Sequence, residues 1–172
     1  MIHLYYGDGK GKTTAAMGLA LRMAGRGRKV VIAQFLKGAD SGERMALANV
    51  PGIQLLPVPE AVPFSFALTE TQRQQETARY GRLLEDCLRL AQAPDCGLLV
   101  LDEVCDAADT GLLPPRQVQK LLDHLSVLHA EVVLTGHTPA PEFFACAHYI
   151  TCLRKERHPY DAGQQARCGV EF

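Results

Sequence analysis

The chain has 172 residues, of which 47% are hydrophobic and 22% are charged, and its formal net charge is -1. This length suffices for one well-packed core and is short for two, so we expect a single domain over residues 1–172. The near-neutral charge argues against nucleic acid as the main partner, because proteins that bind nucleic acid usually carry a basic face.

The sequence also excludes the obvious membrane and secretion signals. No run approaches the ~18 apolar residues of a transmembrane helix. Met1–Leu4 leads directly into a predicted strand, which leaves no room for a signal peptide. The six cysteines are scattered, without a C-x-x-C pair, as is typical of thiols in a reducing compartment. We therefore expect a cytoplasmic protein with no membrane partner.

Short apolar runs rich in Val, Ile and Leu alternate with longer helical stretches, a pattern typical of parallel strands joined by crossover helices. The predicted strands are Ile2–Tyr6, Lys29–Phe35, Ile53–Val58, Gly97–Asp102, Glu131–Thr135 and Tyr149–Leu153. The predicted helices are Lys12–Gly25, Thr69–Ala91, Pro115–Leu128 and Pro141–Ala147. We expect an α/β fold with a mostly parallel sheet of about six strands and helices on both faces, and with ligands beyond the carboxyl ends of the strands.

Two loops, Leu36–Met45 and Pro57–Leu68, are longer than connections in such folds usually need to be. Loops of this kind either carry function or are surface excursions, and their length alone does not decide between the two.

The segment Tyr5–Thr14, YYGDGKGKTT, links the first predicted strand to the first predicted helix. It departs from the phosphate-loop pattern G-x-x-x-x-G-K-[ST] because Tyr6 replaces the first glycine, and from G-x-G-x-x-G because Lys12 replaces the last. Tyr6 removes little, since the backbone N–H groups that would surround a phosphate belong to later residues. We predict a P-loop NTPase-like, RecA-like domain. The predicted nucleotide-binding residues of this loop are Gly7, Asp8, Gly9, Lys10, Gly11, Lys12, Thr13 and Thr14.

A partner acid for this loop is expected at the end of a neighbouring strand. The run Gly97–Asp102 ends a predicted strand in Asp102 and continues with Glu103, the form of a Walker B motif. A carboxylate there reaches Mg²⁺ directly or through water, and Thr13 would supply a hydroxyl ligand. The metal ligands we predict are therefore Thr13, Asp102 and Glu103.

Three functions are compatible with these motifs. Glu103 could activate water, as in a P-loop ATPase or a nucleotide kinase that cleaves at a terminal phosphate. A kinase is disfavoured because no arginine-rich lid is evident. A non-catalytic regulatory module is disfavoured because the sequence offers no extension for a partner. The third function comes from a resemblance to a known family.

Several segments, in order along nearly the whole chain, match the pattern of one family. They are Gly7–Thr14, Gln34–Gly38, Gly42–Arg44, Val100–Glu103, Thr135–His137, His158–Gly163 and Gly169–Phe172. These segments resemble the ATP:corrinoid adenosyltransferases of the CobA/BtuR/CobO type, whose loop reads G-N-G-K-G-K-T-T and also lacks the first Walker glycine.

The resemblance implies transfer of the 5′-deoxyadenosyl group of ATP to the Co(I) centre of a reduced corrinoid, with release of tripolyphosphate. The corrinoid would be cob(I)alamin, cobinamide or cobyrinic acid diamide, a flavoprotein would supply the electron, and a homodimer is expected. In this family the nucleotide lies reversed in the loop. Lys10 and Lys12 would then clamp the leaving group, with Lys12, Thr13 and Glu103 as catalytic residues and Mg²⁺ as cofactor.

The resemblance also implies residues on the corrinoid side. An aromatic pair after the third strand is thought to displace the lower cobalt ligand, and Phe64 and Phe66 are its counterparts here. Their alternative role is to anchor the loop on the core.

Further contacts to nucleotide or corrinoid are expected from polar residues in the matching segments. Surface ion pairs, a satisfied loop histidine and a solvated charge run are the competing interpretations. The residues concerned are Lys37, Glu43, Arg44, His137, Arg154, Lys155, Arg157 and His158.

Two features depart from the family pattern. Asp8 stands where the family usually has Asn, which places an acid inside a phosphate-binding loop. Family members also often carry an N-terminal extension that helps to cover the corrinoid, whereas this sequence starts at the first strand.

Overall fold

A computed structural model describes residues 1–60, 68–125 and 130–170. Its described strands form one sheet, in which all pairings are parallel. The strands are β1 Ile2–Tyr6, β2 Lys29–Gln34, β3 Ile53–Leu55, β4 Cys96–Asp102, β5 Glu131–Gly136 and β6 Tyr149–Cys152. Their spatial order is β3-β2-β4-β5-β1-β6. The predicted parallel sheet of six strands is therefore confirmed.

Within the described residues, six helices and one 3-10 helix connect or follow the strands. The helices are α1 Lys12–Ala24, α2 Gly42–Leu47, α3 Glu70–Ala91, α4 Val104–Asp109, α5 Pro115–Leu125 and α6 Pro141–Cys146, and the 3-10 helix is Pro159–Ala162. The sequence missed α2 and α4, because one and a half turns carry too few apolar positions to show a helical period. β3 ends at Leu55, short of the predicted Val58, and Pro57 lacks the N–H group that would extend the pairing.

The two faces of the sheet are packed against different helices. On β4, Leu98 and Val100 join the apolar cluster under α1, whereas Leu99 and Leu101 join the larger cluster on the opposite face. Adjacent residues of a strand point to opposite faces, so a strand that is buried on both sides reads as a continuous apolar run. This arrangement explains why all seven residues of β4 are buried.

The order of the strands brings the predicted site together. β5 lies between β4 and β1, so the loop after β1 and the acids after β4 both end at the same edge of the sheet. The register of the strands aligns their carboxyl ends: Gln34 of β2 pairs with Asp102 of β4, and Tyr6 of β1 pairs with Gly136 of β5. A ligand site at this carboxyl edge follows from the topology.

Within the described residues, no helix combines the length and the apolar character needed to cross a membrane.

The central strand should dominate the stability of the domain. We expect Leu99→Ala to lower the free energy of unfolding by about 2–5 kcal/mol, because it removes buried methyl groups and leaves a cavity. Leu99 is fully buried, whereas Met45 is 62% exposed and provides the control. Urea denaturation measures both variants, and an equal small effect of Leu99→Ala and Met45→Ala would contradict this account of the core.

Candidate active site

The phosphate loop is held in shape by its glycines and by the segment after β6. Gly7 and Gly11 adopt left-handed conformations, with φ of 111° and 112°. The Gly9 N–H group donates to the Leu153 carbonyl at 2.8 Å. A Cβ atom on Gly7 would lie 2.4 Å from that carbonyl oxygen, so a side chain is excluded by both dihedral angle and space. Leu153 is thus a structural part of the loop that the sequence did not reveal.

Tyr6, which replaces the first Walker glycine, points away from this phosphate loop. Its ring packs edge-to-face on Phe144, with 5.0 Å between the ring centroids. A hydrogen bond with Cys152 raises the pKa of the Tyr6 hydroxyl. The tyrosine therefore serves packing between β1, β6 and α6, as expected from the later start of the phosphate-binding N–H groups.

Lys12 and the N-terminus of α1 supply the positive end of the site. The Lys12 ammonium donates to the Gly7 carbonyl at 2.6 Å and to the Gly9 carbonyl at 3.0 Å, which holds it over the loop. Gly11 is the N-cap, and no side chain of the described residues caps this helix. The first N–H groups of α1 and its dipole are therefore available to an anion.

Asp102 lies fully buried at the end of β4, where donors from three elements surround it. Its Oδ1 accepts hydrogen bonds from the hydroxyls of Thr13 at 3.0 Å and Thr135 at 2.7 Å. Its Oδ2 accepts from the Gln34 amide at 3.1 Å. A buried carboxylate beside the phosphate-loop hydroxyl is a pair of hard oxygen donors, and it fits Mg²⁺, which binds one or two carboxylates together with phosphates.

Glu103 occupies an unusual position directly after this acid. Its backbone is left-handed, with φ of 59° and ψ of 20°, and its N–H group donates to the Thr135 hydroxyl at 2.8 Å. The side chain lines the cleft. Burial, reinforced by the negative charge of Asp102, raises the pKa of Glu103 to about 7. Such a carboxyl group exchanges its proton near neutral pH, as a general acid or base must.

Lys37 and Glu43 form an ion pair at the cleft wall, with 2.6 Å between Nζ and Oε1. The Lys37 ammonium is also 3.8 Å from Asp102 Oδ2. Burial disfavours the charged form of Glu43, but the hydrogen bond and the charge of Lys37, together with further hydrogen bonds, outweigh it and lower the pKa to about 2. The structure thus brings both predicted residues to the same site as Asp102.

Arg44, unlike Lys37 and Glu43, does not line the cleft in the described part of the structure. Its guanidinium donates to the Gln34 side-chain oxygen and to the Leu56 carbonyl, each at 2.9 Å. Arg44 is absent from the cleft lining that the described residues form. The structure therefore does not place Arg44 beside a ribose or a phosphate, and its contacts are with the protein.

His137 lies at the carboxyl end of β5 and lines the cleft between the acids and the phosphate loop. Asp106 of α4 accepts hydrogen bonds from the His137 backbone N–H group at 2.9 Å and 3.0 Å, and its Oδ2 is 3.1 Å from Nδ1. Gly136 permits this approach, because a Cβ atom there would lie 2.9 Å from Asp106 Oδ2. The Asp106 contact uses Nδ1 of the His137 ring and not Nε2.

Asp8 faces the C-terminal segment of the chain. Its Oδ1 accepts a hydrogen bond from the Lys155 backbone N–H group at 3.0 Å, and this bond lowers the pKa of Asp8. Lys10 in turn donates to the Val170 carbonyl. The acid in the loop thus fastens residues after β6 to the phosphate loop.

The cleft between these elements has a volume of about 880 Å³. Of the charged residues near the C-terminus, His158 lines it, while Lys155 pairs with Asp161 at 3.0 Å. Phe64 and Phe66 lie outside the described residues, so their expected contact with the corrinoid stays a prediction. The residues that line the cleft are Asp8, Gly9, Lys10, Gly11, Lys12, Thr13, Thr14, Met17, Gly18, Leu21, Lys37, Gly42, Glu43, Glu103, His137, His158, Gly169 and Val170.

Sequence reasoning missed the roles of Gln34, Thr135 and Asp106. Gln34 ends β2 and Thr135 is the second-last residue of β5, and both strands are adjacent to β4, so their contact with its terminal acid follows once the strand order is known. Asp106 follows Asp102 by about one helical turn, but its contact depends on α4, which the sequence did not indicate.

The raised pKa of Glu103 predicts a pH-dependent stability. The folded protein holds a proton on Glu103 that the unfolded chain releases at its ordinary pKa of 4.5. This contribution is fully present below pH 4.5 and is lost as the pH rises through about 7. We expect wild type to lose about 3 kcal/mol or slightly more relative to Glu103→Gln across this window, since each unit of the pKa difference corresponds to about 1.4 kcal/mol. Urea denaturation between pH 4.5 and 8 measures the difference, and parallel pH profiles would contradict the raised pKa.

The Asp8 contact predicts which substitution releases the C-terminal segment. Asp8→Ala removes the acceptor of the Lys155 N–H group, whereas Asp8→Asn keeps an oxygen at the same place. We expect hydrogen exchange of the Lys155 amide to become faster in Asp8→Ala and to stay near the wild-type rate in Asp8→Asn. Equal exchange in all three proteins would show that Asp8 does not hold this segment.

A similar fold occurs in a solved structure from a distant source. A KaiC-like protein from Pyrococcus horikoshii superimposes with a TM-score of 0.58 at 19% identity, covering 91% of this chain and 74% of that chain. Likeness at this identity bears on the fold, and it confirms the predicted α/β P-loop NTPase-like architecture.

Sequence comparison identifies the family. The model for ATP:corrinoid adenosyltransferase BtuR/CobO/CobP matches residues 1–172. The corrinoid adenosyltransferase of Escherichia coli K12 is 31% identical over 174 residues, which cover 100% of this chain and 85% of the relative. Corrinoid adenosyltransferase CobA of Salmonella typhimurium is 32% identical with the same coverage, and the Pseudomonas aeruginosa enzyme is 32% identical over 98% of this chain and 82% of its own. The chain therefore belongs to the ATP:corrinoid adenosyltransferase family, whose enzymes use ATP to adenosylate corrinoids.

Proposed function

We propose that this enzyme transfers the 5′-deoxyadenosyl group of ATP to the Co(I) centre of a reduced corrinoid and releases intact tripolyphosphate. The observation that carries the proposal is the phosphate site at the carboxyl edge of the sheet, in a chain that matches the family over its whole length. In that site, Lys12, the N-terminus of α1 and the Thr13–Asp102 pair are arranged for a polyanion with a metal.

In this reaction the main task of the protein would be to stabilise the leaving group, tripolyphosphate. The electron pair of Co(I) forms a bond to C5′ of the ribose, and the C5′–O5′ bond breaks with its electron pair on the departing tripolyphosphate oxygen. Negative charge therefore develops at one end of the triphosphate. N–H groups of the loop and the Lys10 and Lys12 ammonium groups would hold that charge in a fixed geometry.

Mg²⁺ would bind at Thr13 and Asp102, and it would supply charge neutralisation to the triphosphate. Asp102 already accepts hydrogen bonds from Thr13, Thr135 and Gln34, so its position does not depend on the metal. Glu103, adjacent and partly protonated at neutral pH, is the further candidate ligand. The protein's own contribution is a carboxylate held in place before the ligand arrives.

The nucleotide would lie reversed in the phosphate loop, with the γ-phosphate where other P-loop proteins hold the β-phosphate. A cleft of about 880 Å³ is ample for one nucleotide, since pockets for small ligands occupy roughly 300–1,000 Å³. His137 lines the same cleft, and in this proposal its ring nitrogen would donate to an oxygen of the nucleotide. Lys37 and Glu43 also line this cleft.

The corrinoid-binding part of the proposal depends on Phe64 and Phe66, whose role is inferred from the sequence resemblance. Phe64 and Phe66 would pack against the lower face of the corrinoid and displace its axial ligand, which makes reduction to Co(I) easier. A flavoprotein would deliver the electron, and the enzyme would act as a homodimer in the cytoplasm.

A second function is favoured by one specific observation. Glu103 lines the cleft beside the phosphate loop with a pKa raised to about 7, as suits a base that activates water. ATP hydrolysis at the γ-phosphate is therefore the competing reaction, and its products differ from those of adenosyl transfer.

Product analysis distinguishes the two reactions. We expect anaerobic incubation with Mg-ATP and a chemically reduced corrinoid to give a light-sensitive adenosylated corrinoid and tripolyphosphate in equal amounts. ADP and phosphate with an unchanged corrinoid spectrum would overturn the transferase proposal.

The same assay tests Lys12 as the charge on the leaving group. Lys12→Met should lower kcat/KM by about a hundredfold or more, the usual cost of removing one donor from a transition-state anion. Lys29→Met is the matched control, because Lys29 pairs with Asp95 on the surface. Equal activity of the two variants would remove Lys12 from the mechanism.

A further inference from the structure

Gln34 is a buried amide at the centre of the metal and phosphate end of the site. It is the last residue of β2, pairs in register with Asp102 and is 1% exposed. Its Nε2 group donates to Asp102 Oδ2 at 3.1 Å and to Glu43 Oε1 at 3.3 Å. Its Oε1 accepts from Arg44 at 2.9 Å. One side chain thus links two carboxylates and a guanidinium.

The orientation of this amide is decided by its neighbours. A glutamine side chain has one oxygen that only accepts and one NH₂ group that only donates. A guanidinium has no acceptor, so Arg44 must face the oxygen, and ionised carboxylates have no donor, so they must face the NH₂ group. Reversing the amide would set Oε1 against the carboxylates of Asp102 and Glu43 and turn the NH₂ group toward Arg44. Arg44 therefore selects the orientation that serves both acids.

Arg44 is itself held from a second side. Its other nitrogen, Nη2, donates to the Leu56 carbonyl at 2.9 Å, directly after β3. Arg44 is the third residue of α2, and the first two residues of that helix, Gly42 and Glu43, line the cleft. The guanidinium thus ties the helix to the edge of the sheet and to the Gln34 amide at once. Lysine cannot reproduce this fork of two directed donors.

We propose that Arg44 and Gln34 are positioning residues for the magnesium and phosphate end of the site: Arg44 fixes the Gln34 amide, and that amide holds the carboxylates of Asp102 and Glu43. Neither residue needs to touch the nucleotide. This inference rests on the proposed function insofar as Asp102 serves Mg²⁺ bound to the triphosphate.

The contacts of Asp102 explain why the orientation matters for a metal. The Gln34 amide occupies Oδ2, and the Lys37 ammonium lies 3.8 Å from the same oxygen. Oδ1 accepts from the hydroxyls of Thr13 and Thr135, and it is the oxygen on the side of the phosphate loop. Without the Gln34 donor, Oδ2 loses its hydrogen bond, and only the two hydroxyls on Oδ1 still orient the carboxylate. Glu43 would lose the same donor, and its partner Lys37 would lose its orientation toward the cleft.

The test is a double-mutant cycle on binding of tripolyphosphate as a function of Mg²⁺ concentration, measured by calorimetry with the whole chain. We expect Arg44→Met and Gln34→Ala each to weaken Mg²⁺-dependent binding by about tenfold or more, the usual effect of losing a group that orients a metal ligand. In the Gln34→Ala background, Arg44→Met should add less than about twofold, because the two residues act through one contact. Arg89→Met is the matched control, since Arg89 pairs with the exposed Asp86.

A second variant separates positioning from folding. Arg44→Lys keeps the positive charge but cannot form both hydrogen bonds. We expect it to show most of the loss of Mg²⁺-dependent binding seen in Arg44→Met, while its thermal unfolding temperature stays close to that of wild type. Additive losses in the cycle would overturn the inference, as would wild-type Mg²⁺ dependence in a folded Arg44→Met protein.

The inference and the proposed function fail differently. If wild type adenosylates the corrinoid while the cycle shows no coupling, only the inference is wrong. If the cycle shows coupling but the products are ADP and phosphate, only the proposed function is wrong.

Discussion

One buried charge organises the carboxyl edge of this sheet. The Asp102 carboxylate lies at the end of the central strand with no exposure to solvent, where an ionised group is costly unless donors surround it. Thr13 of α1, Thr135 of β5 and Gln34 of β2 supply those donors. Each donor comes from a different element. The hydrogen bonds that satisfy the charge therefore also fix the positions of α1, β5 and β2 relative to the end of β4.

Much of this arrangement could be predicted because it follows local patterns. Alternating apolar runs and helices gave the parallel sheet, and parallel strands must bring their carboxyl ends to one edge, so a glycine-rich loop and a terminal acid were bound to meet there. The orientation of the Gln34 amide, the reach of Asp106 to His137 and the partner of Asp8 could not be predicted. These contacts join residues far apart in sequence, and they depend on side-chain directions and on two short helices without a visible period.

The phosphate loop alone does not decide the chemistry. Glycines, Lys12 and the helix N-terminus stabilise a polyanion whether a bond is cleaved at its outer phosphate or at the carbon of the ribose. The two reactions differ in where charge develops and in whether water must be activated or excluded. The match to the family over the whole chain is therefore the reason to favour adenosyl transfer over ATP hydrolysis. The geometry of the loop indicates only that the ligand is a polyanion.

The attachment of the C-terminal segment to the phosphate loop has a consequence for biosynthesis. β6 pairs with β1, and Lys155 meets Asp8 across 147 positions of the chain. The phosphate loop is thus completed by a segment that is synthesised about 147 residues after it. Contacts of such separation form late, because a long loop must close before they contribute. A nascent chain would expose an unfinished nucleotide site until residues 153–155 have left the ribosome, so ATP can assist folding only after that point.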